Sequence, residues 1–257
     1  MSSLSEELVR ISDQGAAAVL ATVVEVEGNA SVEPGAKCLV RDGALVGETV
    51  GDARVVETIL QESVAHLRAE KSKLVSLEVP QAGAKLAVFF EVMPAPPKLI
   101  VVGAGHIAVP LVRMAKVLDF YVVVIDDRLL YANHDRFPDA DEVLVGDMAQ
   151  MLKEMTLTSS CYIVLITRGH AYDEPCLRVV LPSQAKYIGM IGSRRRIKAC
   201  FQRFREKDKI SEELIEKVYA PIGLDIATET PAEIALSILG EVIKVRRGGE
   251  AASLSGH

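Results

Sequence analysis

Two glycines near the middle of the chain have the spacing of a nucleotide-binding turn. Gly103, Gly105 and Ala108 form a G-x-G-x-x-A pattern directly after the apolar run 99–102, and a helical pattern of apolar residues follows. Asp126 ends the next apolar run, 23 positions after Gly103. A dinucleotide-binding fold places its ribose-binding carboxylate at about this distance. The order strand, glycine turn, helix, strand and acid therefore predicts a βαβ unit that binds a phosphate-bearing ligand.

Further polar segments follow the other predicted strands. In doubly wound sheets, ligands gather beyond the carboxyl ends of the strands. Helix N-termini and arginines at these ends favour an anion, so we expect a ligand with phosphate or several oxygens. The candidate ligand-binding residues are Gly103, Ala104, Gly105, His106, Asp126, Asp127, Arg128, Arg168, His170, Ser193 and Arg194.

Each candidate also has a purely structural explanation. The glycines can serve only close packing of strand against helix, and Asp126 can be a solvated loop acid. His106 and His170 can cap helices or pack against them. The three arginines 194–196 can form the exposed face of a surface helix. We predict that Ser193 and Arg194 lie near the ligand and that Arg195 or Arg196 is solvated.

The sequence contains no recognisable catalytic equipment. It lacks the H-E-x-x-H, Walker lysine and G-x-S-x-G motifs, and no residues have metal-ligand spacing. No acid or base is placed for hydride transfer. We therefore predict no catalytic residues and no metal site. The four cysteines are scattered, without a C-x-x-C pair, which indicates reduced and mostly structural thiols. They are Cys38, Cys161, Cys176 and Cys200.

Composition indicates an α/β protein. Of the 257 residues, 49% are apolar and only 5% aromatic, which suits buried parallel strands. The net charge of −6 argues against nucleic acid as a partner. Residues 1–12 do not have the pattern of a signal peptide, and no apolar window is long enough to span a membrane. We expect a cytoplasmic protein without a membrane partner.

The segment Met93–Pro97, with three prolines, predicts a domain boundary. We expect a small N-terminal α+β domain at 1–93, a Rossmann-like doubly wound parallel-sheet domain at 98–248, and a tail at 249–257. Periodicity predicts the following elements. In the first domain they are helices 4–17 and 54–69, strands 19–26, 36–41, 44–47, 73–79 and 85–92, and a hairpin turn at Asp42-Gly43. In the second they are strands 98–102, 121–125, 142–145, 161–167 and 187–191, and helices 105–118, 147–155, 172–180, 193–206, 211–218 and 231–246.

A series of motifs, in this order, resembles the XdhC/CoxI family, the xanthine dehydrogenase accessory factors. The resemblance runs through nearly the whole chain. In the first domain it rests on Ala21-Thr-Val23, Pro34-Gly-Ala-Lys37 and the Asp42-Gly43 hairpin. In the second it rests on Gly103-Ala-Gly-His106, Asp126-Asp-Arg128, Arg136-Phe-Pro138, Thr167-Arg-Gly-His170 with Asp173, Tyr187-Ile-Gly-Met-Ile-Gly-Ser-Arg194, Pro221-Ile-Gly-Leu-Asp225 and Thr230-Pro-Ala-Glu-Ile-Ala235.

The resemblance implies a role that the spacing alone does not indicate. Members of this family help to mature molybdenum hydroxylases. They bind molybdenum cofactor (molybdopterin), protect it while a cysteine desulfurase supplies its terminal sulfur, and help to insert it into the target enzyme. The implied protein is a non-catalytic cofactor chaperone with a molybdenum hydroxylase and a cysteine desulfurase as partners. We also expect a homo-oligomer.

The chain departs from the family pattern in the first domain. Many members carry a Gly-Gly-Gly-Cys-x-Glu-like stretch, and here Arg54 stands in place of the cysteine and Val56 in place of the glutamate. Basic residues before the Pro-Gly-Ala-Lys segment are replaced by Val32 and Glu33. If those positions contact cofactor in the family, this chain is a divergent paralogue with an altered ligand.

Two other functions remain open. An NAD(P)-dependent oxidoreductase would use the glycine turn and Asp126, and the acidic pair Asp126-Asp127 would favour NAD by repelling a 2′-phosphate. A ligand-sensing interaction module would bind nucleotide without pterin.

Overall fold

A computed structural model describes most of the chain. It covers residues 4–13, 16–41, 43–47, 50–79 and 83–252, except the side chains of residues 12, 13 and 170. The chain divides into two compact units, Met1–Pro96 and Pro97–His257. No helix in the part described is long and apolar enough to cross a membrane.

The first unit is built on an antiparallel sheet. Its described elements are α1 (Leu4–Asp13), β1 (Ala18–Glu27), β2 (Lys37–Arg41), β3 (Ala44–Val46), α2 (Ala53–Ala69), β4 (Lys73–Val79) and β5 (Ala84–Met93). The strand order is β3-β2-β1-β5-β4. Helix α2 packs on the face that carries Val19, Val88 and Phe90, and Ile11 of α1 packs with Leu20 on the other.

The predicted elements of this unit are present, with one helix shorter than expected. The prediction of a helix over 4–17 is wrong at its end, because Ala16 and Ala17 are not helical. The N–H of Ala16 instead donates to the carbonyl of Ile11, which closes the helix end. Asp42 of the hairpin turn lies outside the described residues, while Arg41 and Ala44 on either side pair as predicted.

The second unit contains a sheet in which each described strand pair is parallel. Its elements are β6 (Lys98–Val102), α3 (Ala108–Val117), β7 (Tyr121–Asp126), β8 (Glu142–Val145), α4 (Met148–Glu154), β9 (Cys161–Leu165), α5 (His170–Val180), β10 (Tyr187–Met190), α6 (Arg194–Arg203), α7 (Glu212–Ile215), β11 (Val218–Tyr219) and α8 (Pro231–Arg247). The strand order is β8-β7-β6-β9-β10-β11, which is 3-2-1-4-5-6 when β6 is counted as the first strand. This is the Rossmann order, and the strand order reverses between β6 and β9.

Helices cover both faces of this sheet. Leu111 of α3 and Ile238 of α8 pack on one face, and Leu152 of α4, Leu177 of α5 and Ile197 of α6 pack on the other. The central strands are therefore buried along nearly their whole length, as continuous apolar runs predict. The α/β fold, with a Rossmann-type unit after an α+β unit, is confirmed.

Three predicted boundaries in this unit are wrong. The helix expected over 105–118 begins only at Ala108, because the chain first completes a turn after β6. The helix expected over 211–218 is the short α7 followed by β11, whose pairing with β10 overrides its helical pattern. Helix α6 ends at Arg203 and continues as a wider π-helical turn over Phe204–Asp208. Helix α8 begins with a capping box, in which the Thr230 hydroxyl accepts the N–H of Glu233 and the Glu233 carboxylate accepts the N–H of Thr230.

The cysteines are free and buried. Cys161, Cys176 and Cys200 belong to one apolar cluster of the second unit, and Cys38 lies in the core of the first. Burial raises the pKa of the Cys38 thiol to about 11. The Cys38 thiol is therefore a protonated packing group at neutral pH.

Candidate ligand-binding site

The turn after β6 depends on the absence of a side chain at Gly103. This residue has φ +109°, and an added Cβ would lie 2.5 Å from the carbonyl oxygen of Ile166. Its N–H donates to the carbonyl of Ile125 at 2.8 Å. Gly103 therefore allows β6, β7 and β9 to end side by side at the carboxyl edge of the sheet.

Gly105 differs from Gly103 because nothing within the chain requires it to be glycine. An added Cβ would have no atom within 4 Å, and its φ is not in the left-handed region. Within the part of the chain described, the N–H groups of Gly105 and His106 have no acceptor, and no side chain caps the start of α3. This combination of open space and free N–H donors fits an anion, as in nucleotide-binding turns.

Asp126, the last residue of β7, is fully engaged within the protein. It is 2% exposed. It accepts the N–H of Ala104 at 2.7 Å and the N–H of Arg128 at 3.0 Å. The Arg128 guanidinium adds bonds from Nε at 2.8 Å and Nη2 at 2.9 Å. A carboxylate has about four acceptor sites, so these four bonds use them all.

The same contacts determine the charge of Asp126. Burial alone would raise its pKa, but the hydrogen bonds from Arg128 and from the Ala104 N–H outweigh that effect and hold the pKa at about 2. The carboxylate is ionised at neutral pH. Its observed role is to fix the glycine turn and Arg128 relative to β7.

Asp127 and Arg168 form a bidentate ion pair at the same edge. Nη1 and Nη2 of Arg168 donate to the two carboxylate oxygens at 2.7 and 2.6 Å. The guanidinium carbon also lies 3.9 Å from the centroid of the Tyr172 ring. Since Asp127 follows β7 and Arg168 follows β9, the pair links the two segments that flank β6 and its turn.

The segment after β9 is held by its own polar side chains. The hydroxyl of Thr167 donates to Asp173 at 2.5 Å, and Asp173 is 4% exposed. Gly169 donates its N–H to the Thr167 hydroxyl at 3.3 Å. The backbone of His170 begins α5, but its predicted binding role lies outside the described side chains.

The serine–arginine segment after β10 lies at the start of α6. Ser193 caps this helix by accepting the N–H of Arg196 at 3.4 Å. Arg194 is exposed. Nη2 of Arg196 lies 3.6 Å from the Cβ position of Gly169, so Arg196 is the arginine of this segment that approaches the loop after β9. The sequence predicted a place near the ligand for Arg194, and nothing in the run 194–196 indicated that Arg196 approaches this loop.

Arg136 also lies at this edge, and the sequence pattern did not single it out as a candidate. Its Nη1 donates to the carbonyls of Ala104 and Tyr131, both at 3.1 Å. The guanidinium carbon lies 4.9 Å from the Tyr131 ring centroid, and that of Arg128 lies 3.8 Å from the same ring. The motif Arg136-Phe-Pro138 was the available signal, but it did not indicate a contact 32 positions away.

Two other family motifs have structural roles. Glu241 of α8 accepts the Tyr187 hydroxyl at 2.6 Å and the Gly223 N–H at 2.9 Å. The Ser237 hydroxyl donates to the carbonyl of Leu224 at 2.6 Å. These bonds attach β10 and the 221–225 segment to α8.

The first unit has a separate cavity of about 530 Å³. Val32, Glu33, Val50 and Gly51 are among its lining residues, so the segments that depart from the family pattern border it. Arg54, which stands in place of the family cysteine, pairs with Asp52 at 2.6 Å.

The strand order and the glycine turn define a Rossmann-type protein with an additional α+β unit. Residues 99–242 match the pattern described as the XdhC Rossmann domain, and residues 11–78 match that of the XdhC and CoxI family. The chain belongs to the XdhC/CoxI family.

Two curated relatives are similar to this chain. The chain is 27% identical over 251 residues to "Uncharacterized protein YqeB" of Escherichia coli (strain K12), covering 93% of this chain and 46% of that one. It is 30% identical over 172 residues to a probable xanthine dehydrogenase subunit of Bacillus subtilis (strain 168), covering 67% and 50%. The chain thus spans about half the length of the curated relatives it matches.

A solved structure shares the fold. The crystal structure of a xanthine dehydrogenase from Bacillus halodurans superimposes with a TM-score of 0.55 at 20% identity, covering 98% of both chains.

Proposed function

We propose that this protein is an accessory factor in the maturation of molybdenum hydroxylases of the xanthine dehydrogenase type. In this role it binds molybdenum cofactor, or a related phosphate-bearing ligand, and assists its sulfuration and insertion. Membership of the XdhC/CoxI family supports the proposal, as does a relative named as a xanthine dehydrogenase subunit. A target hydroxylase and a cysteine desulfurase are the proposed partners, the cytoplasm the proposed location, and a homo-oligomer the proposed state.

The observation that carries the proposal is the open space at Gly105. A Cβ added at Gly105 would meet no atom within 4 Å. Among the described residues, the N–H groups of Gly105 and His106 have no acceptor. Both features fit the terminal phosphate of molybdopterin. These donors would hold the phosphate, and Ser193 and Arg194 remain further candidates after β10. The bound cofactor would supply the molybdenum centre that the target enzyme uses.

The charged side chains at the site support handling of a ligand rather than its chemical conversion. Asp126 is saturated by Ala104 and Arg128, and Asp127 is paired with Arg168. Neither carboxylate is therefore free to act as a base without breaking an ion pair. We propose a non-catalytic role on this ground.

The same contacts weigh against the dinucleotide alternative. A ribose diol would have to displace Arg128 or the Ala104 N–H from Asp126 to be bound by that carboxylate. A ligand anchored through its phosphate alone needs no such rearrangement.

The test compares ligands and a matched pair of variants. The full chain is titrated anaerobically with molybdopterin and with NAD(H), and its association with a molybdenum hydroxylase and a cysteine desulfurase is measured. Gly105→Asp places a carboxylate in the open space and should weaken molybdopterin binding at least about tenfold, because like charges within a few ångströms repel. Gly249→Asp is the control, since a Cβ there also meets no atom within 4 Å.

The expected result is molybdopterin binding that Gly105→Asp weakens and Gly249→Asp leaves unchanged. Absence of both molybdopterin binding and partner association would refute the proposal. Tight NAD(H) binding with hydride transfer would support the oxidoreductase instead. Partner association that responds to nucleotide but not to pterin would support a sensing module.

A further inference from the structure

We infer that Arg136 is a positioning residue for the anion site, holding the Ala104–Gly105 peptide so that its N–H faces the ligand. This inference rests on the proposed function, because it concerns the same turn. Arg136 lies in the connection between β7 and β8, and not in the short polar segment that directly follows β7. It reaches the turn through the hydrogen bond from its Nη1 to the Ala104 carbonyl.

The geometry of the peptide group provides the first step. A trans peptide is planar, so its C=O and N–H point in opposite directions. In the described residues the Ala104–Gly105 bond is not among the cis peptides. Because Arg136 binds the carbonyl of this peptide, the N–H of Gly105 is directed away from Arg136 and toward the side on which it has no acceptor.

The second step is that both polar groups of Ala104 are held by charged side chains. Asp126 accepts its N–H at 2.7 Å, and Arg136 donates to its carbonyl at 3.1 Å. Glycine on either side makes this backbone easy to rotate. The two side chains therefore supply the rigidity that the sequence of the turn lacks. A donor that is already oriented does not lose that freedom when a ligand binds.

The third step concerns charge. Arg128 is paired with Asp126, and Arg168 with Asp127. In the described residues Arg136 has no carboxylate within 4 Å, and its acceptors are neutral carbonyls. Arg128 and Arg168 link segments of the chain while paired with a carboxylate, so a linking role alone does not explain why Arg136 has none. Next to an anion site, the uncompensated charge favours the ligand and offsets the negative end of the Ala104 carbonyl.

The chain contains a matched control for this argument. Arg246 of α8 also lies over an aromatic ring, with its guanidinium carbon 5.4 Å from the centroid of Phe120. The described residues place no carboxylate within 4 Å of it either. Phe120 precedes β7, whereas Arg136 contacts the turn at the opposite, carboxyl end of the sheet. Arg246→Met thus removes the same charge and the same kind of stacking at the other end of the unit.

The experiment measures inorganic pyrophosphate binding to the full chain by calorimetry, together with the amide resonance of Gly105 in ¹⁵N-labelled protein. Arg136→Met keeps the apolar stem and removes the donors. We expect it to weaken pyrophosphate binding about tenfold. This is the lower end of the loss in affinity when a hydrogen bond that orients a metal ligand is removed. Arg136→Lys, which keeps one charged donor, should restore most of the affinity, and Arg246→Met should bind as the wild type does.

The resonance of Gly105 separates positioning from general stability. In the wild type it should shift when pyrophosphate is added, and in ligand-free Arg136→Met it should already differ from its wild-type position. Equal affinities for Arg136→Met and Arg246→Met would overturn the inference, as would an unchanged Gly105 resonance in Arg136→Met. If Arg136→Met does not fold, the decision rests on Arg136→Gln, which removes the charge and shortens the side chain; a Gly105 resonance and an affinity identical to wild type in that variant would overturn the inference.

The outcomes also distinguish this inference from the proposed function. If the wild type binds neither pyrophosphate nor molybdopterin, the proposed function fails. If it binds both and Arg136→Met does as well, only the role of Arg136 fails.

Discussion

The pattern Asp-x-Arg occurs once in each unit, with different results. In the first unit, Asp52 caps α2 and pairs with Arg54 at its exposed N-terminus. In the second, Asp126 is buried at the end of β7, pairs with Arg128 and also accepts the N–H of Ala104, 22 positions earlier in the chain. The local pairing is the same, but only the second pair fixes a distant turn.

The two sheets explain this difference. In the antiparallel sheet of the first unit, β5 alternates between buried and exposed residues. In the parallel sheet of the second unit, β9 is buried throughout and β7 at every position after the first. An acid that ends a strand buried on both faces must find partners among neighbouring strand ends. Parallel strands bring those ends, and the polar segments that follow them, to one edge.

Glycine to alanine substitutions should show the difference most strongly. Gly103→Ala places a Cβ 2.5 Å from the carbonyl oxygen of Ile166 and at φ +109°; we expect a loss of at least about 3 kcal/mol, from backbone strain plus overpacking. Gly35→Ala in the first unit meets no atom within 4 Å and has only its φ of +89° to accommodate. Its cost should be about 1 kcal/mol. Urea unfolding of the full chain measures both, and similar losses would contradict the comparison.

The pH dependence of stability should differ between the two aspartates. The folded pKa of Asp126, about 2, lies below its ordinary value of 3.8. Its contribution is therefore complete above about pH 4 and is lost as the pH falls toward 2. The loss should be at most about 2 kcal/mol, at about 1.36 kcal/mol per pKa unit. Urea midpoints measured from neutral pH down to the folded pKa should thus fall less steeply for Asp126→Asn than for the wild type.

Asp52→Asn is the control for that measurement. The hydrogen bond from Arg54 lowers the pKa of Asp52 too, but this pair is exposed to solvent, which screens it. Asparagine also caps helices about as well as aspartate. We expect the pH profile of Asp52→Asn to follow the wild type closely, and a change as large as that of Asp126→Asn would remove the distinction between the pairs.

Substitutions at neighbouring strand positions test the burial patterns directly. Val123 and Val124 of β7 are 1% and 0% exposed and face opposite cores. Replacing either by threonine should cost about 1.5 kcal/mol by burying a hydroxyl. In β5, Val88→Thr should cost as much, because Val88 is buried, while Phe89→Thr should cost far less, because Phe89 is 39% exposed. Thermal unfolding of the four variants would show two equal losses in β7 and two unequal ones in β5.

The second unit was predicted well from the sequence because its apolar runs and the polar segments that follow them indicate the same parallel sheet. Continuous apolar runs indicated the strands, and polar segments after them indicated the edge of the sheet at which the candidate residues lie. The helix predicted over 211–218 was wrong at Val218, which belongs to β11. The two residues of β11 are too few to show strand periodicity, and only their pairing with β10 defines the strand. Spacing also placed Asp126 correctly at the strand end. It could not show that Arg128 and Ala104 occupy the carboxylate, since those bonds depend on how closely β6 and β7 approach.

The smallest expected effect concerns Gly105, and it separates binding from folding within one turn. An alanine Cβ at Gly105 meets no atom within 4 Å, so Gly105→Ala should leave stability unchanged or raise it by up to about 1 kcal/mol, by restricting the unfolded chain. The methyl group nevertheless occupies the space into which the free N–H groups open. Pyrophosphate affinity should therefore fall while the urea midpoint does not. A loss of stability approaching that of Gly103→Ala would instead mean that Gly105 serves packing, as the structural explanation of the motif holds, and that the open space at the turn is not a ligand site.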